Sequence, residues 1–545
     1  MSDKKHSRRE ILKALGAGAA VAASPMEIFL DGLVEGLVSK AVAAEGSSKF
    51  KYIMIQNYAA PPRWMFDLFL APYGGEVVPN ASVGSELVAT GSGANRRYTG
   101  TEYRTHNVKG ILAPRIWTHN VGDRNGNARP LSDLMDNMLV LQGIDALNPG
   151  HSIAAALLNR PLTLKSLDGL LADSADLPFG ALGFNTFFQD FKSNKGHTLK
   201  RFSNNADVAK ILPEAFETGD IDIHKKYKNE IDKATAKLNR SLASTNLQGE
   251  NLEKTLQSTK ALMKSEILKI QTDLPLLIQK YESVIEKTID LSKNLPGFSD
   301  LPVGALDQQY ETSNNRMIFD DDLRAGLDGM QANSLAKKFA LVEYVITNDL
   351  TASAALNVDA MSYSLKRSAG GNPTRTGVSS DQHNISTLAS VFFTSMFYRV
   401  TGACILGLID GLKAQSYNGS NLFDHTVIRH SGEFGRHPRD TPDNTGSDHS
   451  PTSNSNMILS GMIKGPIVAG QIRADGSTVR RRKGSWGAGG VLKHGVAATT
   501  GHVVSTLAAM LEIPSPSSNN PSLIVKNASG EIELNDLYIE KTKVV

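Results

Sequence analysis

A chain of 545 residues, 41% apolar and 21% charged, has the composition of an ordinary globular protein with a large core, which excludes fibrous and disordered classes. Lys4, Lys5, Arg8, Arg9 and Lys13, set against Asp3 and Glu10, already supply the whole formal charge of +3. The rest of the chain is neutral and offers no electrostatic case for nucleic acid as a partner.

The first residues read as an address. Ser7-Arg8-Arg9-Glu10-Ile11-Leu12-Lys13 resembles the twin-arginine export signal, and the Ala/Gly run from Ala14 to Ala23 is too short for a stable transmembrane anchor. The expected partner is the twin-arginine export machinery, and the expected destination is the periplasm or beyond, reached in the folded state. Ala41-Val42-Ala43 offers a cleavage site, making residues 1–43 the signal, while the amphipathic stretch from Met26 to Val38 leaves an uncleaved tether open. The single cysteine, Cys404, permits no intramolecular disulfide despite an oxidising destination.

Lys51 to Gln56 predicts a buried strand that delivers Asn57 at its carboxyl end. Gly74 to Asn127 reads as an irregular excursion in which His106 and His119 are solvated. Ser132 is expected to cap a short helix over Asp133 to Asn137, followed by a strand from Met138 to Leu141. Asn148-Pro149-Gly150-His151-Ser152-Ile153 then leads into a helical run, Ala154 to Arg160. Ser166 and Asp168 open another helix, and Ala181 to Phe184 reads as a further strand.

From about Asp207 to Pro296 the composition turns to Lys, Glu, Leu, Gln and Ser, with apolar residues at helical spacing. A break at Thr272 to Pro275 predicts a helical hairpin inserted into the fold. This divides the mature chain into 44–206, an insertion at 207–296, and 297–545. Asp320 to Asp349 predicts a core helix. Leu388 to Leu412 is the most apolar run, but Arg399 and Asp410 inside it would each cost about 3 kcal/mol near a bilayer centre, so a buried helix is expected.

Two segments carry most of the chemistry. In Asp381-Gln382-His383-Asn384, residues two apart on extended backbone point to one side, so Asp381 and His383 could grip one ion; alternatively Asp381 caps the next helix. The run His425 to Ser450 starts as a strand, Thr426 to Arg429, and exits into a loop bearing Glu433, Arg436, His437, Asp448 and His449. Carboxylates and imidazoles suit a divalent metal, and an arginine suits an oxyanion. Met457 to Ser460 completes a set of four central strands, so the expected fold is α/β with a mostly parallel sheet flanked by helices. His502, before a last helix, is a further candidate.

The strand ending Ser431-Gly432-Glu433-Phe434-Gly435-Arg436, the later Gly446-Ser447-Asp448-His449 and the apolar strand from Asn456 to Ser460 resemble domain-of-unknown-function family 1501, exported proteins of the alkaline phosphatase and sulfatase clan. The resemblance is good over Ser380 to Leu511, patchy from Lys51 to Asp173 and absent between. It implies an alkaline phosphatase-like fold and a metal-dependent hydrolase of phosphate or sulfate esters. One or two divalent ions (zinc, manganese, iron or calcium) would be held by Asp381, His383, Glu433, Asp448 and His449. Asn57 stands where the clan places an acid on the first strand. Ser152 or His151 occupies the nucleophile position, and Arg436 would bind the oxyanion of a small anionic ester. The missing acid and the degenerate nucleophile segment also fit a competing reading, an inactive exported binding or surface-assembly protein.

Overall fold

In this computed structural model the described residues are 48–68, 70, 86–90, 97–175, 177–186, 189–202, 236, 250–293, 311–312, 315–318, 332–358, 364–367, 374–377, 381–383, 387–438, 447–474, 486–489, 492 and 497–539. The expected signal at 1–43 lies outside them, as does His494.

Eight strands form one central sheet: β1 (Lys51–Asn57), β2 (Met138–Ile144), β3 (Ala181–Phe184), β4 (Leu199–Phe202), β5 (Ser353–Asn357), β6 (Thr426–Gly432), β7 (Asn454–Leu459) and β8 (Ile467–Ala469). Their order is β4-β3-β5-β1-β6-β7-β2-β8. All pairings are parallel except the two made by β7, which runs against both β6 and β2. The four strands expected to be central are therefore in one sheet, as the sequence suggests, with one of them reversed.

Helices cover both faces because the strands are apolar on both. Ile53 and Ile55 of β1, Ile428 of β6 and Met457 of β7 share a core with α3 (Glu250–Lys293), α4 (Ala332–Thr347) and α5 (Thr387–Lys413). On the other face Tyr52, Met54, Val427 and Ile458 pack with α2 (Leu167–Asp173) and α6 (Thr500–Met510). α5 is apolar enough over 394–413 to cross a membrane by length and composition, yet it is almost entirely buried inside the fold. Of its two internal charges, Asp410 accepts from Arg129 at 2.7 Å, while Arg399 donates to the Asn120 carbonyl at 2.9 Å and has its pKa lowered to about 10 by burial.

Three local expectations are corrected. The break at Thr272 to Pro275 is not a chain reversal: α3 continues through Pro275 for 44 residues. A mid-helix proline forfeits a hydrogen bond and costs about 3 kcal/mol. The stripe Leu274, Tyr281, Val284, Ile285 and Ile289 is buried against α4 and α5 and offsets that, at about 1.5–3 kcal/mol for each large apolar side chain. Tyr281 also donates to Glu343 of α4 at 2.6 Å. Residues 207–235 and 237–249, the first part of the expected insertion, lie outside the described residues. Ser132 is not a cap, because the 3₁₀ helix Leu131–Asn137 is entered from Pro130. Finally, α1 (His151–Leu157) starts at His151 after Gly150, earlier than the run of alanines suggests.

Candidate metal centre

The carboxyl ends of β1, β2 and β6 lie side by side, because these strands are parallel and only β7 separates β6 from β2. Each end supplies part of one site. β2 leads through 145–150 to His151 at the start of α1, β6 ends at Glu433, and β1 ends in the tight turn Tyr58-Ala59-Ala60. The excursion from β6 to β7 folds into a hairpin, Gly435–Pro438 against Ser447–Ser450, with Arg436 opposite His449. Gly435 is needed there, because a Cβ would lie 2.2 Å from the Ser453 carbonyl oxygen.

His151, Asp381, His383 and His449 converge, with one donor atom from each within 4.8 Å of the others. His383 Nε2 lies 2.9 Å from His449 Nε2 and 3.0 Å from Asp381 Oδ1. Asp381 Oδ1 is 3.7 Å from His449 Nε2, and its Oδ2 is 3.5 Å from His151 Nε2. Donors around one tetrahedral ion with bonds of about 2.0–2.1 Å stand about 3.3 Å apart, so the spacing fits.

The far sides of the rings explain why these nitrogens are free to converge. His151 Nδ1 meets Glu433 Oε1 at 2.6 Å, His383 Nδ1 meets the Ser447 carbonyl at 2.9 Å, and His449 Nδ1 meets the Pro149 carbonyl at 2.7 Å. An acceptor on Nδ1 holds a proton there and turns Nε2 toward the centre, the orientation of metal-ligating histidines, and a binding ion would displace any proton on Nε2. His383 Nε2 and His449 Nε2, 2.9 Å apart, are close enough to share a proton in a hydrogen bond or to bind one ion. This observation of the protein's own atoms fits a metal, and three imidazoles with one carboxylate suit zinc, iron or manganese better than calcium, which takes oxygen ligands.

The remaining candidates have other positions. Glu433 is fully buried and stands behind His151, its Oε1 also accepting from the Ala59 backbone at 2.8 Å. Asp448 lies on the Nδ1 side of His383, at 3.8 Å, and accepts from the His449 backbone at 2.9 Å. Arg436 is buried and directed inward, donating to the Ala59 and Ala60 carbonyls, Ser447 Oγ and Asp381. It therefore orients Asp381 rather than offering its fork to an oxyanion. Burial opposes the Asp381 charge, but the imidazoles of His151 and His449 and the Arg436 guanidinium outweigh it and hold the carboxyl far below its usual range. Burial also opposes charge on His151, yet its hydrogen bonds to Asp381 and Glu433 push its pKa up to about 9.

Ser152 is exposed and makes no hydrogen bond to a described residue, whereas its neighbour His151 joins the cluster. Asn57 is buried one strand further in, with Nδ2 2.8 Å from His430 Nε2, and does not reach the group. His502 serves as the reciprocal partner in the capping box that starts α6, its Nδ1 accepting from the Thr499 backbone.

Two features escaped the reading of the sequence. Tyr58 stacks at an angle on His151, ring centroids 5.7 Å apart, and burial and then the charges of Glu433 and Asp381 raise its pKa, so it remains a phenol at the rim. Ala59 and Ala60 both take positive φ, 74° and 42°, which alanine rarely does. Glu433 and Arg436 clamp that turn from both sides, and strain held in place this way is common at functional sites.

A comparison with curated proteins finds no match. Residues 381–487, which contain Asp381, His383, Glu433, Arg436, Asp448 and His449, match the family model described as protein of unknown function (DUF1501), which supports the resemblance to that family over this segment.

Proposed function

We propose that the protein is an exported metal-dependent hydrolase of phosphate or sulfate esters, its ion held by His151, Asp381, His383 and His449. The observation that carries the reading is the common orientation of the three histidines, each with Nδ1 tied and Nε2 turned toward Asp381. A divalent ion there supplies Lewis acidity toward an ester oxygen and an attacking water. Glu433 holds the His151 Nδ1 proton and strengthens that ring as a donor, and Arg436 fixes Asp381. Asp448 and Asn57 act outside the ligand set, and Ser152, exposed beside His151, is the hydroxyl nearest in sequence for nucleophilic attack. Membership of the alkaline phosphatase clan and export by the twin-arginine route belong to the same proposal.

The reading as an inactive binding protein has one observation in its favour, the inward commitment of Arg436. Elemental analysis of protein purified after folded export, paired with assays on aryl phosphate and aryl sulfate esters, separates the two. Hydrolysis that needs the metal and disappears in His383→Ala supports the enzyme. Stoichiometric metal with no turnover of either ester supports the binding protein, and protein that binds no metal sinks both.

A further inference from the structure

Nine large apolar side chains are exposed among the described residues, and four of them, Leu147, Ile153, Leu162 and Leu164, fall within 18 consecutive positions around α1. Leu162 and Leu164 are the most exposed of all, at 80% and 87%. Single exposed leucines need no explanation, but this density in one segment does. Leu147 and Leu162 also hold positive φ, 66° and 54°, a conformation that bulky side chains avoid.

The loop that presents Leu162 and Leu164 is pinned. Arg160 Nε donates to the Thr163 carbonyl at 2.7 Å, Thr163 Oγ1 donates to the Lys165 carbonyl at 2.7 Å, and Arg160 is ion-paired with Asp190. At its far end Lys192 N donates to Ser166 Oγ at 2.9 Å, which brings the 192–195 segment alongside. The leucines are thus displayed by a fixed turn. Exposed Lys165 follows Leu164 directly, and exposed Lys192 and Lys195 stand on the adjoining 192–195 segment. The neighbouring acids are engaged, Asp190 by Arg160, and Asp173 by Ser193 Oγ and the Asn194 and Lys195 backbone.

We propose that the loop 161–165 is a membrane-surface anchor: Leu162 and Leu164 enter the interface of an anionic bilayer, and Lys165, Lys192 and Lys195 meet its head groups. Charge selects this occupant, because Lys165, Lys192 and Lys195 outnumber the one nearby described carboxylate without a cationic partner, Asp173, and apolar tips beside net positive charge match a surface whose outside is anionic and whose next layer is hydrocarbon. The anchor stands independently of the reading of the metal centre, and it places the start of α1, and with it His151, close to a lipid surface.

The test uses the full chain with Thr163→Cys labelled by an environment-sensitive fluorophore. Cys404 is buried and leaves the new thiol as the reactive one. On vesicles containing phosphatidylglycerol the emission moves to the blue, and on pure phosphatidylcholine vesicles it moves far less. In flotation assays Leu162→Asn with Leu164→Ser lowers binding about tenfold, and Lys165→Gln about fivefold. The reporter sits on the loop, so binding through another part of the chain does not imitate the shift. Unmoved emission overturns the proposal, as does vesicle binding that survives the double leucine change. Leucine-dependent capture of a soluble protein with vesicles left unbound overturns it too.

Discussion

His449 and His430 are delivered from the same strand exit, yet they have opposite fates. His430 lies inside β6, fully buried, with Nε2 beside Asn57 and Nδ1 without a partner among the described residues, and burial followed by the Arg63 charge drives its pKa well below the usual histidine value. It is a neutral core residue edged by Phe66 and Tyr398. His449 is half-buried, its Nδ1 is tied to a backbone carbonyl, and its Nε2 points at two other ligand candidates. The lesson is that burial and the partner on the far ring nitrogen, not the residue type, decide whether a histidine is structure or ligand.

The largest effect breaks the comparison on the ligand side. His383→Ala and His449→Ala are each expected to weaken metal binding by more than about a hundredfold, beyond what outer-shell changes produce. Equilibrium dialysis with zinc measures this, and His430→Leu under the same conditions should keep its metal. If His430→Leu lost metal as fully as His449→Ala, the distinction drawn above would fail.

Next comes the carboxylate behind His151. Glu433→Gln keeps an acceptor for His151 Nδ1 but removes the charge, so affinity should fall about 10-fold with the fold intact. Unchanged affinity would make Glu433 a mere packing residue.

The third prediction concerns pH. His119 is pushed down to about 3 by burial and by the charges of Arg399 and Arg115, and His430 is also lowered. A depressed folded-state pKa gives stability that is complete above the unfolded value near 6.5 and is lost as pH falls toward the folded value. Urea midpoints should therefore drop between about pH 6.5 and 3, and the slope should be shallower in His119→Asn. A slope identical to wild type would show that His119 does not titrate as described.

The smallest effect is at Leu162. Asparagine tolerates positive φ, so Leu162→Asn is expected to raise stability by about 0.5–1 kcal/mol while it removes an exposed apolar tip. A lower melting temperature would mean that the leucine makes contacts its exposure does not suggest.

Much of the sheet was legible in the sequence because its strands are short, apolar on both faces and bounded by turn residues, as in Lys51–Asn57 and Thr426–Gly432. The reversal of β7 was not, since an apolar run carries no mark of direction. At the site, Asp381, His383 and His449 were readable from residue type and spacing. His151, expected in the nucleophile segment, stands in the same group, and Glu433, expected as a ligand, lies behind His151 with Oε1 on its Nδ1. These placements were not legible because the groups that orient the rings are largely carbonyls of Ser447 and Pro149, and a backbone acceptor leaves no trace in residue identity. Pro275 misled for a related reason, because local propensity gave way to a buried stripe that only the tertiary structure creates.

The reversed strand has a further consequence. Since β7 runs against β6, the chain that leaves the sheet at Gly432 re-enters it at Asn454 on the same edge of the molecule, without crossing to the opposite end. Ser431 pairs with Asn456, and the hairpin between them stands on that closed base. Residues 439–446 can therefore gain or lose length without shifting a single rung of the sheet. Evolution, or an engineer, can vary the chain length between Pro438 and Ser447 while the paired base that carries His449 stays in place.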